Sequence, residues 1–215
     1  MDTSSGSAIT TTYANDMVGL SQVLLADDGT TQTATFFGLD LIGQDNGSET
    51  RLLLADGLGS ERVEMVGSDM EATMTHAPFG EVLAQAGNSG TSYGFTCEQF
   101  DGSSSLLYLR ARYYNSALHT FMSKDPWSGN NLRPQSMNGW SYVDNNPINL
   151  TDPLGLFPDY CHHVGSFAEY EYCVREYYNV DGPLHILIQS QKIFHPLSLK
   201  IGAIMVLYLI KDGGI

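Results

Sequence analysis

Turn signals recur through the first two thirds of this chain, and they confine it to short elements. Asp27-Asp28-Gly29-Thr30, Asp45-Asn46-Gly47-Ser48, Asp56-Gly57-Leu58-Gly59-Ser60, Pro78-Phe79-Gly80 and Asp101-Gly102-Ser103 each combine residues that reverse a backbone. Between residues 39 and 85 the strand-like runs begin roughly 8–12 residues apart, which suits hairpins and leaves no room for an ordinary helix. The intervening runs are β-branched, aromatic or alternating. Strands are therefore expected at 20–26, 33–38, 39–44, 51–55, 62–66, 72–76, 81–85 and 106–114. Cys97 falls in a strand-like run after Tyr93-Gly94-Phe95-Thr96. Before residue 160 only 116–122 reads as a short helix.

Composition agrees with turn-rich antiparallel β structure. The 215 residues include 22 Gly and 12 Tyr, with 42% hydrophobic and 16% charged residues. The net charge is −14, and residues 1–156 carry 18 of the 24 acids against six of the ten bases. That excess disfavours nucleic acid or an anionic membrane as a partner of this region and suits a solvated β surface. Residues 1–12 are Ser/Thr-rich and read as a flexible N-terminus. They have neither the basic start nor the apolar run of a signal peptide.

The stretch 108–156 closes the strand series. It holds three Asx-Pro pairs, Asp125-Pro126, Asn146-Pro147 and Asp152-Pro153. Such pairs initiate turns, and bracing turns is a sufficient role for them. A sheet built from these hairpins alone leaves an open edge on its N-terminal side, which suggests the terminal part of a longer wall of strands.

The order of several motifs resembles the RHS-repeat, or YD-repeat, associated core. The matching elements are Asp56-Gly57-Leu58-Gly59-Ser60, Pro78-Phe79-Gly80-Glu81, Tyr93-Gly94-Phe95-Thr96 and Tyr108-Leu109-Arg110-Ala111-Arg112-Tyr113-Tyr114. They continue with Phe121-Met122-Ser123-Lys124-Asp125-Pro126, Tyr142-Val143-Asp144-Asn145-Asn146-Pro147 and Asp152-Pro153-Leu154-Gly155-Leu156. The resemblance covers residues 13–156. It implies antiparallel hairpins forming the end of a β-shell, with further repeats upstream. The shell would enclose a variable C-terminal segment, 157–215, of effector type. It also implies a secreted or cell-surface setting, a polymorphic toxin role, and an immunity protein as partner of the tail. Lys124 stands where the family commonly has arginine.

In members that cut themselves, the break follows the position of Leu156, between Leu156 and Phe157. Two carboxylates can hydrolyse a peptide bond when they share one proton, one activating water and the other polarising the carbonyl. Asp125 and Asp152 are the candidate pair, each stiffened by the proline that follows. Lys124 is a candidate for tuning them by its charge, and Asp144 is a reserve carboxylate. Arg110 and Arg112, read as alternating on one strand face, serve either as salt-bridging sheet residues or to orient the cleavage loop. No cofactor and no metal site is expected of this machinery. The alternatives are a non-enzymatic cell-surface or wall-associated repeat protein, in which Asp125 and Asp152 only brace turns, and an inactive gene fragment.

Composition changes after Leu156. Residues 157–215 contain four of the six histidines and an apolar run at 197–210. That run is shorter than the roughly 20 residues of a membrane span and reads as a buried helix in a small α or α+β tail. Cys161 and Cys173 can pair in an oxidising compartment. With His162 and His163 they offer zinc-type ligands, though at a spacing that matches no common finger. His185 and His195 read as ordinary structural residues.

Overall fold

The computed structural model describes residues 10–16, 21–38, 41–129, 131–156 and 158. Residues 1–9, Phe157 and the tail lie outside the described residues. With them go the expected tail helix at 197–210, Cys161, His162, His163, Cys173, His185 and His195.

Eight strands form one antiparallel meander in chain order: β1 (Thr12–Asp16), β2 (Gln22–Asp27), β3 (Gln32–Phe37), β4 (Leu41–Asp45), β5 (Thr50–Ala55), β6 (Glu61–Val66), β7 (Asp69–His76) and β8 (Val82–Gly87). A second sheet holds β9 (Gln99–Asp101), β10 (Leu106–Leu109), β11 (Arg112–Asn115) and β12 (Thr120–Phe121), again paired only with sequence neighbours. The expected mainly antiparallel β class is therefore the observed one among the described residues, the expected α or α+β tail lying outside them, and the expected strands 20–85 correspond to β2–β8.

The turns work as their residues dictate. Between β4 and β5, Asp45 Oδ1 accepts from Gly47 N–H at 2.7 Å, and Asn46 Oδ1 accepts from Ser48 and Glu49 N–H at 2.9 and 2.8 Å. Between β2 and β3, Asp28 Oδ1 accepts from Thr30 and Thr31 N–H, each at 2.8 Å. These Asx turns satisfy amides that the ladder does not reach.

Three local expectations fail. The run 106–114 is not one strand. It is the β10–β11 hairpin, with Arg110 and Ala111 as its turn and Arg110 at φ +54°. Arg110 and Arg112 therefore do not share a strand face. The expected helix at 116–122 is a turn followed by β12, because Tyr114 and Asn115 pair with Phe121 and Thr120. Cys97 lies in a one-turn 3₁₀ element, Phe95–Cys97, with Thr96 and Cys97 both at positive φ.

That 3₁₀ turn joins the two sheets. Glu61 N–H donates to Gly94 O at 3.0 Å, and Thr96 N–H donates to Ser60 Oγ at 2.9 Å. Beyond it lies the main core: Phe95, Leu107, Leu109, Tyr114, Phe121, Tyr142 and Val143, all nearly inaccessible. Tyr114 and Tyr142 stack at 4.5 Å, and Phe121 meets the edge of Tyr114 at 5.6 Å. Tyr114 OH donates to Phe79 O at 2.9 Å, which ties this core to the β7–β8 turn. A smaller cluster of Leu41, Leu53 and Tyr93 lies against the first sheet.

The first sheet also buries charge. Glu64 is fully inaccessible, pairs with Arg51 and accepts from Gly90 N–H at 3.0 Å. Glu61 beside it is 3% exposed, and its Oε2 has no hydrogen-bond partner. Burial, then repulsion from Glu64, pushes the Glu61 carboxyl up to about 7.

Two predictions follow from this packing. Leu109→Ala removes a side chain that is 1% exposed and should cost about 2–5 kcal/mol in urea denaturation. Glu61 holds its proton more tightly when folded, so it lowers stability as pH rises from its ordinary 4.5 through about 7. Glu61→Gln should therefore melt higher than the parent at pH 8, by roughly 1–3 kcal/mol, and match it at pH 4.

Candidate functional site

All three Asx-Pro pairs form turns, and two of the turns bring their aspartates together. Asp125 Oδ1 accepts from Trp127 N–H at 2.7 Å, and Asp125 N–H donates to Gly139 O at 2.8 Å. Asp152 Oδ1 accepts from Leu156 N–H at 3.0 Å, while Gly155 N–H donates to Asp152 O at 3.2 Å. At Asn146, the main-chain carbonyl accepts from Asn149 and Leu150 N–H. The proline in each pair fixes φ and hardens the turn.

Arg112, on β11, is the hub. Its Nη2 lies 2.8 Å from Asp125 Oδ2 and 3.7 Å from Asp152 Oδ2. Its Nη1 donates to Gly139 O at 3.1 Å, and its Nε donates to Gly155 O. The guanidinium also sits 3.6 Å from the centre of the Phe121 ring. The three side chains are 4%, 9% and 1% exposed for Arg112, Asp125 and Asp152. Charge this deeply buried persists only when paired and hydrogen-bonded, which the planar fork of arginine allows and an ammonium does not.

Burial pushes the Asp125 carboxyl above its ordinary value, and this outweighs the pull of Arg112 and of Trp127 N–H. Burial likewise lowers the Arg112 guanidinium, opposed by both aspartates. A guanidinium remains charged near neutral pH all the same.

A cavity of about 20 Å³ opens on these groups, lined among others by Arg112, Asp125, Asp144, Asp152, Leu156 and Pro158. That volume holds one water molecule, and the lining supplies the polar partners that a water requires. Asp144 reaches the cavity from a strained backbone. Val143, Asp144 and Asn145 lie at φ +43°, +51° and +59°, a run of left-handed non-glycine residues that costs about 1–3 kcal/mol each. Asp144 faces Arg133 at 3.5 Å. Lys124 is exposed and does not line the cavity. The positive charge at the carboxylates is that of Arg112.

Gly155 lets the 152–156 turn approach β10. It sits at φ +63°, and a Cβ there would lie 2.3 Å from Leu109 O. Arg112, expected either to salt-bridge or to orient the cleavage loop, salt-bridges both candidate aspartates at once, and Gly139, whose carbonyl links Asp125 to Arg112, was not among the expected residues. The usable signal was an arginine within an apolar strand followed by turns rich in aspartate. Among the described residues no group of three or more His, Cys, Asp or Glu is arranged to hold a metal ion.

No family model matches the chain. Over 79 residues it is 35% identical to the tRNA(Glu)-specific nuclease WapA of Bacillus subtilis subsp. natto (strain BEST195), a stretch covering 37% of this chain and 3% of that protein. Over 63 residues it is 38% identical to the tRNA nuclease WapA of Bacillus subtilis (strain 168), covering 29% of this chain and 3% of that protein. The chain thus matches a small part of these long relatives. Among solved structures, TcdB2-TccC3 without its hypervariable C-terminal region aligns with a TM-score of 0.53 at 19% identity, over 71% of this chain and 8% of the other. The Photorhabdus luminescens Tc holotoxin pore aligns with a TM-score of 0.53 at 18% identity, over 77% and 8%. The structural matches establish a shared β fold.

Arg112→Met would strand two buried carboxyls without a counter-charge. It should cost about 3–5 kcal/mol at pH 7 by urea denaturation. Unpaired buried carboxyls take up protons more readily, so the loss should shrink at pH 4.

Proposed function

We propose that residues 13–156 form the C-terminal end of an RHS-type shell, and that this end cuts the chain between Leu156 and Phe157. The observation carrying this reading is the convergence of Asp125 and Asp152 on one arginine nitrogen, beside Leu156 and a cavity for one water.

In this reading the pair shares one proton, assigned to Asp125, whose carboxyl burial holds above its ordinary value. Asp152 takes a proton from water as the water oxygen bonds to the Leu156 carbonyl carbon. Asp125 gives its proton to the carbonyl oxygen. As the tetrahedral species collapses, the C–N bond breaks, the nitrogen of Phe157 takes the proton held by Asp152, one hydroxyl of the species returns a proton to Asp125, and Leu156 ends as a carboxylic acid. Arg112 holds both carboxyls and the Gly155 carbonyl in place, while Lys124 acts only as a distant charge. Catalyst and substrate share one chain, so the effective concentration is high and modest groups suffice. Asp144 is the carboxyl that would replace either partner.

The released segment, 157–215, is an effector of a secreted or cell-surface system, with an immunity protein as its partner and further repeats preceding β1. Among the described residues no helix is long and apolar enough to cross a membrane, which does not bear on β-barrels.

The test is to express the chain, 23.5 kDa intact, and weigh it. Two fragments, one beginning at Phe157, are expected, and Asp125→Asn or Asp152→Asn should slow their appearance at least about 100-fold. A parent chain that stays whole would favour the reading in which these aspartates only brace turns. Expression of 157–215 alone, scored for growth arrest, tests the effector role.

A further inference from the structure

Three consecutive residues of the β10–β11 hairpin meet three consecutive carbonyls of the closing turn. Arg110 Nη1 donates to Pro153 O at 2.6 Å, Ala111 N–H donates to Leu154 O at 3.2 Å, and Arg112 Nε donates to Gly155 O. The next carbonyl along the chain belongs to Leu156. Arg110 itself is held on three sides. Both oxygens of Glu98, a residue 6% exposed, lie 2.7 Å from Nη1, and Nε donates to Ser21 O at 3.1 Å ahead of β2. Its left-handed backbone turns the side chain back over the closing turn. Gly155 is the matching small residue, since any Cβ there would collide with Leu109 O.

We propose that residues 110–112 act as a ruler: by holding the carbonyls of 153, 154 and 155 in register, they select the following peptide bond for cutting, whatever side chain occupies position 156. This rests on the self-cleavage reading above. Arg110 is then a positioning residue, acting through the backbone of Pro153, and Glu98 orients it. The three hairpin contacts all reach main-chain carbonyls, and the Leu156 side chain is buried at the cavity wall; the ruler sets the bond by distance along the chain from the turn.

Two measurements on the full chain judge this. In an Asp125→Asn background, where the cut is expected to be slowed at least about 100-fold, hydrogen exchange is compared with and without Arg110→Met. Loss of the charge-assisted bond to Pro153 should speed exchange at Ala111, Gly155 and Leu156 about tenfold or more, with β5–β7 unchanged. Unchanged exchange at those three amides overturns the grip. In the cutting-competent chain, one alanine is inserted between Gly155 and Leu156. The ruler places the cut after the inserted alanine, with a corresponding mass for each fragment. A cut that stays after the leucine, or no cut in a chain whose parent cuts, overturns the selection by register. A parent chain that does not cut defeats the self-cleavage reading and selection with it, while the exchange result still decides whether the grip exists.

Discussion

A single guanidinium, removed from solvent, underlies the closing third of the described structure. Arg112 lies in β11, yet its partners come from three separate turns: Asp125, Gly139, and the pair Asp152 and Gly155. Burying this charge would be prohibitive without them. Each partner is correspondingly committed, because Asp125 and Asp152 both reach the same arginine nitrogen from buried positions. The Phe121 ring lies against the guanidinium and packs in turn on the stacked Tyr114 and Tyr142, and in such an apolar setting the attractions of the cluster are strengthened.

The first sheet relates to this cluster as a foundation. Its strands are short and pair only with neighbours, and many of its large apolar side chains, such as Leu52, Leu54 and Leu83, are exposed. Its contribution to the site is made through a few points. The 3₁₀ turn at Phe95–Cys97 places Phe95 in the main core, Phe79 receives the Tyr114 hydroxyl, and Ser21 receives Arg110. Glu61 sits at the same joint as a buried carboxyl, so protonation and the fit between the sheets are linked there.

Much of this was legible in the residues themselves. Asx and glycine turns such as Asp45-Asn46-Gly47 announced the strand boundaries, since side-chain acceptors and positive φ are local properties. The aspartates of the two Asp-Pro turns were legible as candidates for the same reason. Arg110 and Ala111 were not legible as a turn. Neither residue favours positive φ, and the alternating run 106–114 reads smoothly through them; burial of Leu109 and Arg112 on either side compels the reversal. The short β12 was hidden because Ser116–Met122 contains helix formers, and pairing with β11 overrides that weak preference. The role of Arg112 depends on contacts between residues 13 to 43 positions apart, which no local pattern encodes.

The strictly sequential pairing of the strands has a temporal meaning. Each hairpin can close as soon as its second strand exists, since loop closure is short and cheap at every step. The contacts around Arg112 are of the opposite kind, for they wait until residues 139 and 152–155 have returned to a hairpin made much earlier. As a ribosome delivers the chain from its N-terminus, the wall is laid strand by strand and the paired carboxylates are completed only at its end. The order of synthesis therefore keeps the acidic pair unassembled until the sheet that supports it has been built.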